Sequence, residues 1–192
     1  MSGELVAAVA IAAIVAYLAL ALTVRRRALR ARGPSLRREG GAAAWLPYFL
    51  PVPYLVVALR PGPELAVTET WRWVGLALVV AGAAFSAWAA FTLGRHFDTE
   101  VEFHSGHEVV RRGPYALVRH PVYSGLALHL LGACIATGNV LLIAGTLFAA
   151  IPAFYLRASA EERLLRTELG PAYEAYARDV GMLVPFIGTA SR

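Results

Sequence analysis

The chain has 192 residues, of which 58% are hydrophobic and only 16% are charged. Soluble domains carry about 25% charged residues, so this composition excludes an ordinary soluble domain and indicates an integral membrane protein. The basic residues are all arginines and give a net charge of +5. Many of them stand beside apolar runs, which is typical of side chains that face anionic lipid, and nucleic acid is therefore not an expected partner.

The first apolar run covers residues 5–24. A helix of about 20 residues crosses a hydrocarbon core of about 30 Å, so this run predicts a first transmembrane span. No positive charge precedes it and arginines follow it from Arg25, which argues against a cleaved signal and places the N-terminus outside. The basic segment 25–41 is expected to be a cytoplasmic linker.

Residues 42–59 are apolar but contain three prolines, which would kink a helix. Arginine counting decides whether this segment crosses, because basic residues concentrate in short cytoplasmic loops. If it crosses, 16 arginines lie on the cytoplasmic side and two lie outside, whereas otherwise the split is 9 to 9. The distribution therefore predicts a second span here.

The third predicted span covers residues 71–94, with Thr70 as its N-cap. Trp71 and Trp73 are expected at the outer membrane interface, where indole rings are enriched. The segment is rich in glycine and alanine, and small residues allow close helix contact in lipid.

Residues 121–136 and 140–156 are two further apolar segments, and the short polar stretch 137–139 between them predicts a tight helical hairpin. The second helix can continue to residue 169, because Gly170 followed by Pro171 forms a strong stop signal. Such a helix is about 45 Å long, so its last turns are expected to stand in the cytoplasm.

The predicted fold is therefore all-α, with about five transmembrane helices in a multi-pass protein of the plasma or inner membrane. Its N-terminus lies outside and its C-terminus lies in the cytoplasm. Residues 1–92 hold the first three spans, and polar motifs concentrate in residues 93–192. Within the latter region, the short segment that contains Tyr173 and Tyr176 is expected to lie on the membrane interface.

His120 and Pro121 begin the fourth predicted span. Proline is suited to the first helical turn, and the free N–H groups there, with the positive end of the helix dipole, form a site for a carboxylate or phosphate. The alternative is that the dipeptide simply starts a helix at the interface.

Arg157 and Glu161 are four residues apart and share one face of the last long helix. An arginine can hold an anionic substrate while a carboxylate faces a cation, although a surface ion pair or a snorkelling arginine is the simpler alternative. Because neighbouring helices of a hairpin run antiparallel, this pair and His120 are expected to lie close together.

Three other polar or reactive side chains receive structural interpretations. His104 and His107 are three apart, but no further ligand pattern accompanies them, so no metal site is predicted. His129 lies inside the fourth span, where an interhelical hydrogen bond is expected. Cys134 is the single cysteine and lies in an apolar run, which predicts a core residue.

Several short motifs in the second half of the chain occur together, in a fixed order and spacing. They are His107-x-x-Val110, Gly113-Pro114-Tyr115, Arg119-His120-Pro121-x-Tyr123-x-Gly125, Glu161-Glu162-x-x-Leu165, Gly170-x-x-Tyr173-x-x-Tyr176 and Val184-Pro185-Phe186-Ile187. With these motifs the chain resembles the isoprenylcysteine carboxyl methyltransferase family, which is related to the membrane phospholipid methyltransferases. The match runs from about residue 93 to 188, roughly half of the chain, and makes residues 93–192 the catalytic region.

The resemblance implies an enzyme that uses S-adenosylmethionine (SAM), with S-adenosylhomocysteine as product. The cofactor would sit in a cytoplasmic pocket, under a lipophilic substrate that enters from the bilayer. Arg157 and Glu161 would occupy the substrate and catalytic positions. The residues that would line the cofactor site are His107, Val109, Val110, Tyr115, His120, Pro121, Val122 and Tyr123.

The acceptor is left open by the residues themselves. A carboxylate, such as that of an isoprenylcysteine or a small lipidic acid, needs no base and would be oriented by Arg157. An amine, thiol or hydroxyl acceptor, as in a phospholipid methyltransferase, would lose a proton, which Glu161 could assist. The alternative from another class is a non-catalytic transporter or scaffold.

Overall fold

The structure, a computed structural model, describes residues 3–31, 35–39, 62–94, 101–104 and 109–189. Five helices are present in these ranges, together with a short 3₁₀ turn over Gly113–Ala116. We label the helices α1 (Gly3–Ala31), α2 (Glu69–Leu93), α3 (Pro121–Thr137), α4 (Val140–Leu169) and α5 (Pro171–Asp179). Two strands, β1 (Ser35–Glu39) and β2 (Val101–His104), pair antiparallel.

The helices confirm four of the predicted apolar segments. Within the described ranges, α2 and α4 are long and apolar enough to cross a membrane, and shorter apolar helices cover Ala8–Val24 and Pro121–Thr137. The proline-containing second span, residues 42–59, lies outside the described residues. The prediction of five spans is thus supported in part.

The chain is mostly helical, as predicted, but its ends and connections differ from the expectation. Helix α1 continues to Ala31, into the segment predicted as a linker, and that segment also contains β1. The partner strand β2 alternates apolar and polar residues, the period of a strand, over only four residues. A repeat that short gives too little signal for detection.

The predicted start of the third span is wrong by two residues. Helix α2 begins at Glu69 with Thr68 as its N-cap, and Thr68 makes no side-chain capping hydrogen bond. Thr70 therefore lies inside the first turn.

Helices α2 and α3 approach each other at backbone distance. A Cβ atom added to Gly82 would lie 2.5 Å from the carbonyl oxygen of Gly125, and one added to Gly125 would lie 2.3 Å from Ser86 Oγ. The Ser86 hydroxyl also donates a hydrogen bond to the Val122 carbonyl over 3.0 Å. The small residues of the third span therefore act in helix packing, as predicted.

Two polar side chains inside the helices also have the predicted structural roles. Nδ1 of His129 lies 3.1 Å from the Val79 carbonyl oxygen on α2, at hydrogen-bonding distance. The buried thiol of Cys134 donates to Thr146 Oγ1 over 3.4 Å. His129 thus links α2 to α3, and Cys134 belongs to the core.

Helix α4 contains one wide turn, a π-helical segment over Thr146–Ala150, before the α-helix resumes at Ile151. Pro152 follows directly and has no N–H group to donate to the preceding turn. A π-helical turn changes the helical phase, so it sets the face on which Arg157 and Glu161 lie.

The rings of Tyr173 and Tyr176 face the interior of the protein, whereas the position of their segment on the membrane interface stays a prediction. Both rings are buried, and they pack with Val109 and Leu165. The Tyr176 hydroxyl donates a 2.6 Å hydrogen bond to the Tyr115 carbonyl. Helix α5 therefore fixes the loop that precedes α3, because its aromatic face turns inward.

Candidate functional site

Side chains of α3 and α4 contact each other at the carboxylate of Glu161. The Tyr123 hydroxyl donates to its Oε1 over 2.5 Å, and Arg157 Nε donates to the same oxygen over 3.0 Å. Nδ1 of His120 lies 3.5 Å from Oε2. The structure therefore brings the predicted pair on α4 together with the predicted motif at the start of α3.

A second carboxylate, that of Glu162, contacts the other side of the same histidine. Nε2 of His120 lies 3.3 Å from Glu162 Oε1, and Arg119 Nε donates to that oxygen over 2.6 Å. Arg166 Nη2 donates to Oε2 over 3.1 Å. His120 thus lies between the carboxylates of two consecutive glutamates.

The position of His120 changes its protonation. Burial by itself would lower the pKa of the imidazole, but the contacts with Glu161 and Glu162 outweigh it and raise the pKa above the ordinary value of 6.5. The protonated imidazolium is therefore retained to a higher pH than in a free histidine.

The ring of Tyr123 is held by aromatic contacts. It stacks with His120 at a centroid distance of 6.1 Å and with Phe154 at 5.9 Å. Phe154 belongs to the buried apolar cluster of the helices, and Tyr123 packs against that cluster. The site therefore has a charged side, around Glu161, and an apolar side that continues into the helix core.

Arg157 is almost completely buried, with 3% of its surface exposed. A buried guanidinium requires compensating partners, and Glu161 supplies one at Nε. A charged group held at the end of the apolar part of α4 can bind an anion on a lipophilic molecule.

The other residues predicted for the cofactor site lie around the start of α3. Pro121 is the first residue of α3 and is buried, and Tyr115 is buried in the 3₁₀ turn before it. Burial, with a contribution from the charge of Glu161, raises the pKa of Tyr115 above its ordinary value, so its phenol stays neutral. Val122 is half-buried and packs against a cluster that α1 shares with α2.

The preceding loop is described only in part. Val109 and Val110 are half-buried, and Val109 packs against the aromatic face of α5. His107 lies outside the described residues. The structure thus locates seven of the eight residues predicted to line the cofactor site.

Arg119 belongs to a sequence motif that predicts no role for it, and the structure gives it one. Its guanidinium donates to the carbonyl oxygens of Ala177 (3.0 Å), Val180 and Gly188 (2.9 Å), in addition to Glu162. With 5% of its surface exposed, Arg119 holds residues 177–189, which we call the C-terminal segment, against α3. The motif singles out this position, but sequence alone does not show that the guanidinium points inward.

Backbone hydrogen bonds also hold the C-terminal segment against α3. The N–H groups of Arg119 and His120 donate to the carbonyl oxygens of Gly181 (2.8 Å) and Met182 (3.1 Å), and Ser124 Oγ donates to that of Leu183 over 2.6 Å. The C-terminal segment therefore covers the entrance to α3 beside His120.

The chain is similar to known proteins in sequence and in structure. The family model for the isoprenylcysteine carboxyl methyltransferase family matches residues 73–167. A probable protein-S-isoprenylcysteine O-methyltransferase of Oryza sativa subsp. indica is 34% identical over 129 residues, which are 65% of this chain and 66% of the rice protein. Protein-S-isoprenylcysteine O-methyltransferase A of Arabidopsis thaliana is 30% identical over 138 residues, which are 68% of this chain and 66% of that protein.

A solved structure is also similar, that of the eukaryotic intramembrane Ras methyltransferase ICMT. The TM-score is 0.59 at 27% sequence identity, with 78% of this chain and 52% of that chain covered. The chain thus spans just under two thirds of the length of the two plant relatives and about half of the solved structure. The family match includes Tyr123, Arg157 and Glu161, and the chain belongs to the isoprenylcysteine carboxyl methyltransferase family, a family of integral membrane proteins.

Proposed function

We propose that this chain is an integral membrane methyltransferase that transfers a methyl group from SAM to the carboxylate of a lipophilic acceptor. The acceptor is an isoprenylcysteine-type carboxyl group or that of a related small lipidic acid. One observation carries the proposal: the half-buried Glu161 and Tyr123 meet the buried side chains of Arg157 and His120 in a cluster that adjoins the apolar core. The names of the plant relatives point to the same reaction.

The residues present fit the cofactor. SAM combines a carboxylate with a cationic sulfonium and supplies an electrophilic methyl group. The first N–H groups of α3 have no partner inside the helix and lie at the positive end of its dipole, beside a histidine whose protonated form is favoured. These groups suit the carboxylate, and Glu161 supplies a negative charge nearby.

We assign the cofactor site to the residues that the motifs single out. They are His107, Val109, Val110, Tyr115, His120, Pro121, Val122 and Tyr123. The stack that the rings of His120 and Tyr123 form, at a centroid distance of 6.1 Å, supports a shared role for this pair. Val122 contributes through its backbone at the helix start, because its side chain packs against the α1 cluster.

Arg157 orients the acceptor, since a guanidinium binds a carboxylate through paired hydrogen bonds. Glu161 accepts hydrogen bonds from both Tyr123 and Arg157 and lies beside His120. Three such neighbours stabilise its ionised form, so Glu161 is a weak base. An acceptor that is already a carboxylate needs no base, and this favours it over an amine, thiol or hydroxyl.

Alignment and water exclusion then supply most of the catalysis. The rings of Tyr123 and Phe154 border the charged groups on the apolar side. A lipophilic chain bound against these rings would place its carboxylate toward Arg157. The arginine distribution supports a cytoplasmic site and C-terminus with the N-terminus outside.

Isothermal titration of the purified, folded protein with SAM tests the proposal. Absence of binding would overturn it. Arg157→Ala is expected to abolish turnover while largely sparing SAM affinity, whereas Tyr123→Ala is expected to weaken SAM binding. Arg163→Ala is the matched control, because Arg163 is an exposed residue of the same helix, and an equal loss of SAM affinity at positions 157 and 123 would contradict the division of roles.

The acceptor is tested separately. An N-acylated S-prenylcysteine should be methylated in the presence of SAM, and the corresponding amide, which lacks the carboxylate, should not. Methylation of a prenylated thiol or amine at a comparable rate would show that the acceptor assignment is wrong while leaving methyl transfer in place.

A further inference from the structure

The C-terminal segment contains a tight turn over Val184, Pro185, Phe186 and Ile187. The Ile187 N–H donates to the Val184 carbonyl over 3.1 Å, and the Met182 N–H donates to the Ile187 carbonyl over 2.8 Å. Proline in the second position and a positive φ in the third are the pattern of a type II turn, whose third residue is usually glycine. Here that residue is Phe186, with a φ of 65°.

The side chains of this turn point away from the protein. Phe186 is 88% exposed, the largest value among the large hydrophobic residues that the structure describes, and Ile187 and Val184 are 64% and 51% exposed. A phenylalanine held in the left-handed region is strained, and the exposed ring gains nothing from burial in the protein. The backbone strain is the same in any solvent. The exposed ring is unfavourable in water, whereas in an apolar environment it would be buried.

The turn is attached to the start of α3. His120 N–H and Ser124 Oγ donate to the carbonyl oxygens of Met182 and Leu183, the two residues before the turn. The Arg119 guanidinium donates to Gly188, the residue after it. Both ends of the turn are therefore fixed at the level of the first helical turn.

The length of α3 places this level within the bilayer. Its 17 residues span about 25 Å, less than the hydrocarbon thickness of about 30 Å. At its other end, Arg72 Nη1 donates to the Ala136 carbonyl over 3.2 Å. The adjacent indoles of Trp71 and Trp73 are exposed, as expected for a membrane interface.

With its C-terminal end at that interface, α3 places its N-terminal end a few ångströms inside the opposite boundary of the hydrocarbon. Any tilt of the helix moves that end deeper. We propose that the turn Val184–Ile187 inserts its apolar side chains into the acyl-chain region of the bilayer. It is a membrane-contacting element beside His120, and it holds the charged cluster at the level where a lipophilic acceptor presents its polar end. The inference requires only that the chain spans a bilayer and does not depend on methyl transfer.

Site-directed spin labelling in phosphatidylcholine vesicles tests the insertion. The background variant Cys134→Ala removes the single cysteine, and Phe186→Cys then carries the label. Phe148→Cys is the hydrocarbon reference, because Phe148 is 83% exposed in the apolar part of α4, and Thr167→Cys is the aqueous reference near the end of that helix. Collision with a water-soluble nickel complex is expected to be several-fold weaker at position 186 than at 167, and collision with oxygen should approach that at 148.

Nickel accessibility at 186 equal to that at 167 would overturn the proposal. Protection that develops only after a prenylated peptide is added would also overturn it, because the turn would then be a docking site for the acceptor. Ile187→Cys repeats the measurement with the phenylalanine intact, so a folding defect at position 186 does not decide the outcome. A far-UV circular dichroism spectrum that matches that of the parent checks that each labelled protein is folded, and neither this check nor the accessibility pattern depends on SAM binding or turnover.

Discussion

Arg119→Met is expected to produce the largest loss of stability among the substitutions considered. Methionine fills much of the same volume but removes the ion pair with Glu162 and the hydrogen bonds to three carbonyl oxygens of the C-terminal segment. Breaking a buried ion pair by removing one partner costs about 3–5 kcal/mol. Glu162 keeps Arg166 and His120 as partners, which limits the cost, whereas the three carbonyls lose a charged donor.

The opposing effects give an expected decrease of about 3–5 kcal/mol in the free energy of unfolding. Reversible unfolding in mixed micelles of mild detergent and dodecyl sulfate measures it. Arg163→Met, at an exposed position of α4, is the control and should stay within about 0.5 kcal/mol of the parent.

A double-mutant cycle with Glu162→Gln isolates the ion pair from the carbonyl contacts. If the two residues interact as the 2.6 Å contact indicates, the double variant will be more stable than the sum of the two single losses implies. If Arg119→Met lowers the free energy of unfolding by less than about 1 kcal/mol, the range of an exposed ion pair, Arg119 does not hold the C-terminal segment through buried contacts.

Three further predictions concern the packing and the charge of the site. Gly125→Ala is expected to lower the free energy of unfolding by about 1–3 kcal/mol, because the added Cβ would overlap with Ser86 Oγ. The control Gly145→Ala, where an added Cβ has nothing within 4 Å, should be neutral or stabilising. Equal losses in the two variants would contradict the close helix contact. The raised pKa of His120 means that its contribution to stability is complete below about pH 6.5 and is lost as the pH rises through that pKa; unfolding measured from pH 6 to 9 should show this alkaline loss in the parent and a flatter profile in His120→Gln. Tyr176→Phe should cost about 1 kcal/mol in the same unfolding assay, since it removes the 2.6 Å bond to the Tyr115 carbonyl, and no loss would show that this bond is not a stabilising contact.

The sequence predicted the features that follow from hydropathy and helix periodicity. Apolar length gave the positions of α2, α3 and α4, and antiparallel neighbours in a hairpin implied that Arg157 would meet His120. His129 makes the helix contact that the sequence predicts, since a polar group in an apolar span needs a partner.

Other features depend on tertiary contacts that no local pattern contains. The predicted N-cap of α2 is wrong because Thr68 and Thr70 are equivalent candidates by residue type, and the cap that forms uses no side-chain bond. Tyr173 and Tyr176 suit either a membrane interface or a core, and only the position of the loop before α3 decides between them. The inward direction of Arg119 likewise follows from carbonyl groups located about 60–70 residues further along the chain.

His120 lies between two carboxylates, that of Glu161 at the proposed acceptor site and that of Glu162, which binds Arg119. Consecutive residues on an α-helix point about 100° apart, so the carboxylates of Glu161 and Glu162 face different neighbours. The carboxylate of Glu161 contacts Tyr123 and Arg157, whereas that of Glu162 contacts Arg119, which holds the C-terminal segment.

Because His120 lies between the two carboxylates, deprotonation of its ring weakens both sets of contacts together. The same C-terminal segment carries the Val184–Ile187 turn. A change in how that turn sits in the bilayer would therefore reach the acceptor site through Arg119, Glu162 and His120. Vesicles with thicker hydrocarbon should shift SAM affinity in the parent protein, and the shift should be smaller when Phe186→Gly removes the inserted ring; an equal shift in both proteins would show that the turn is not coupled to the site.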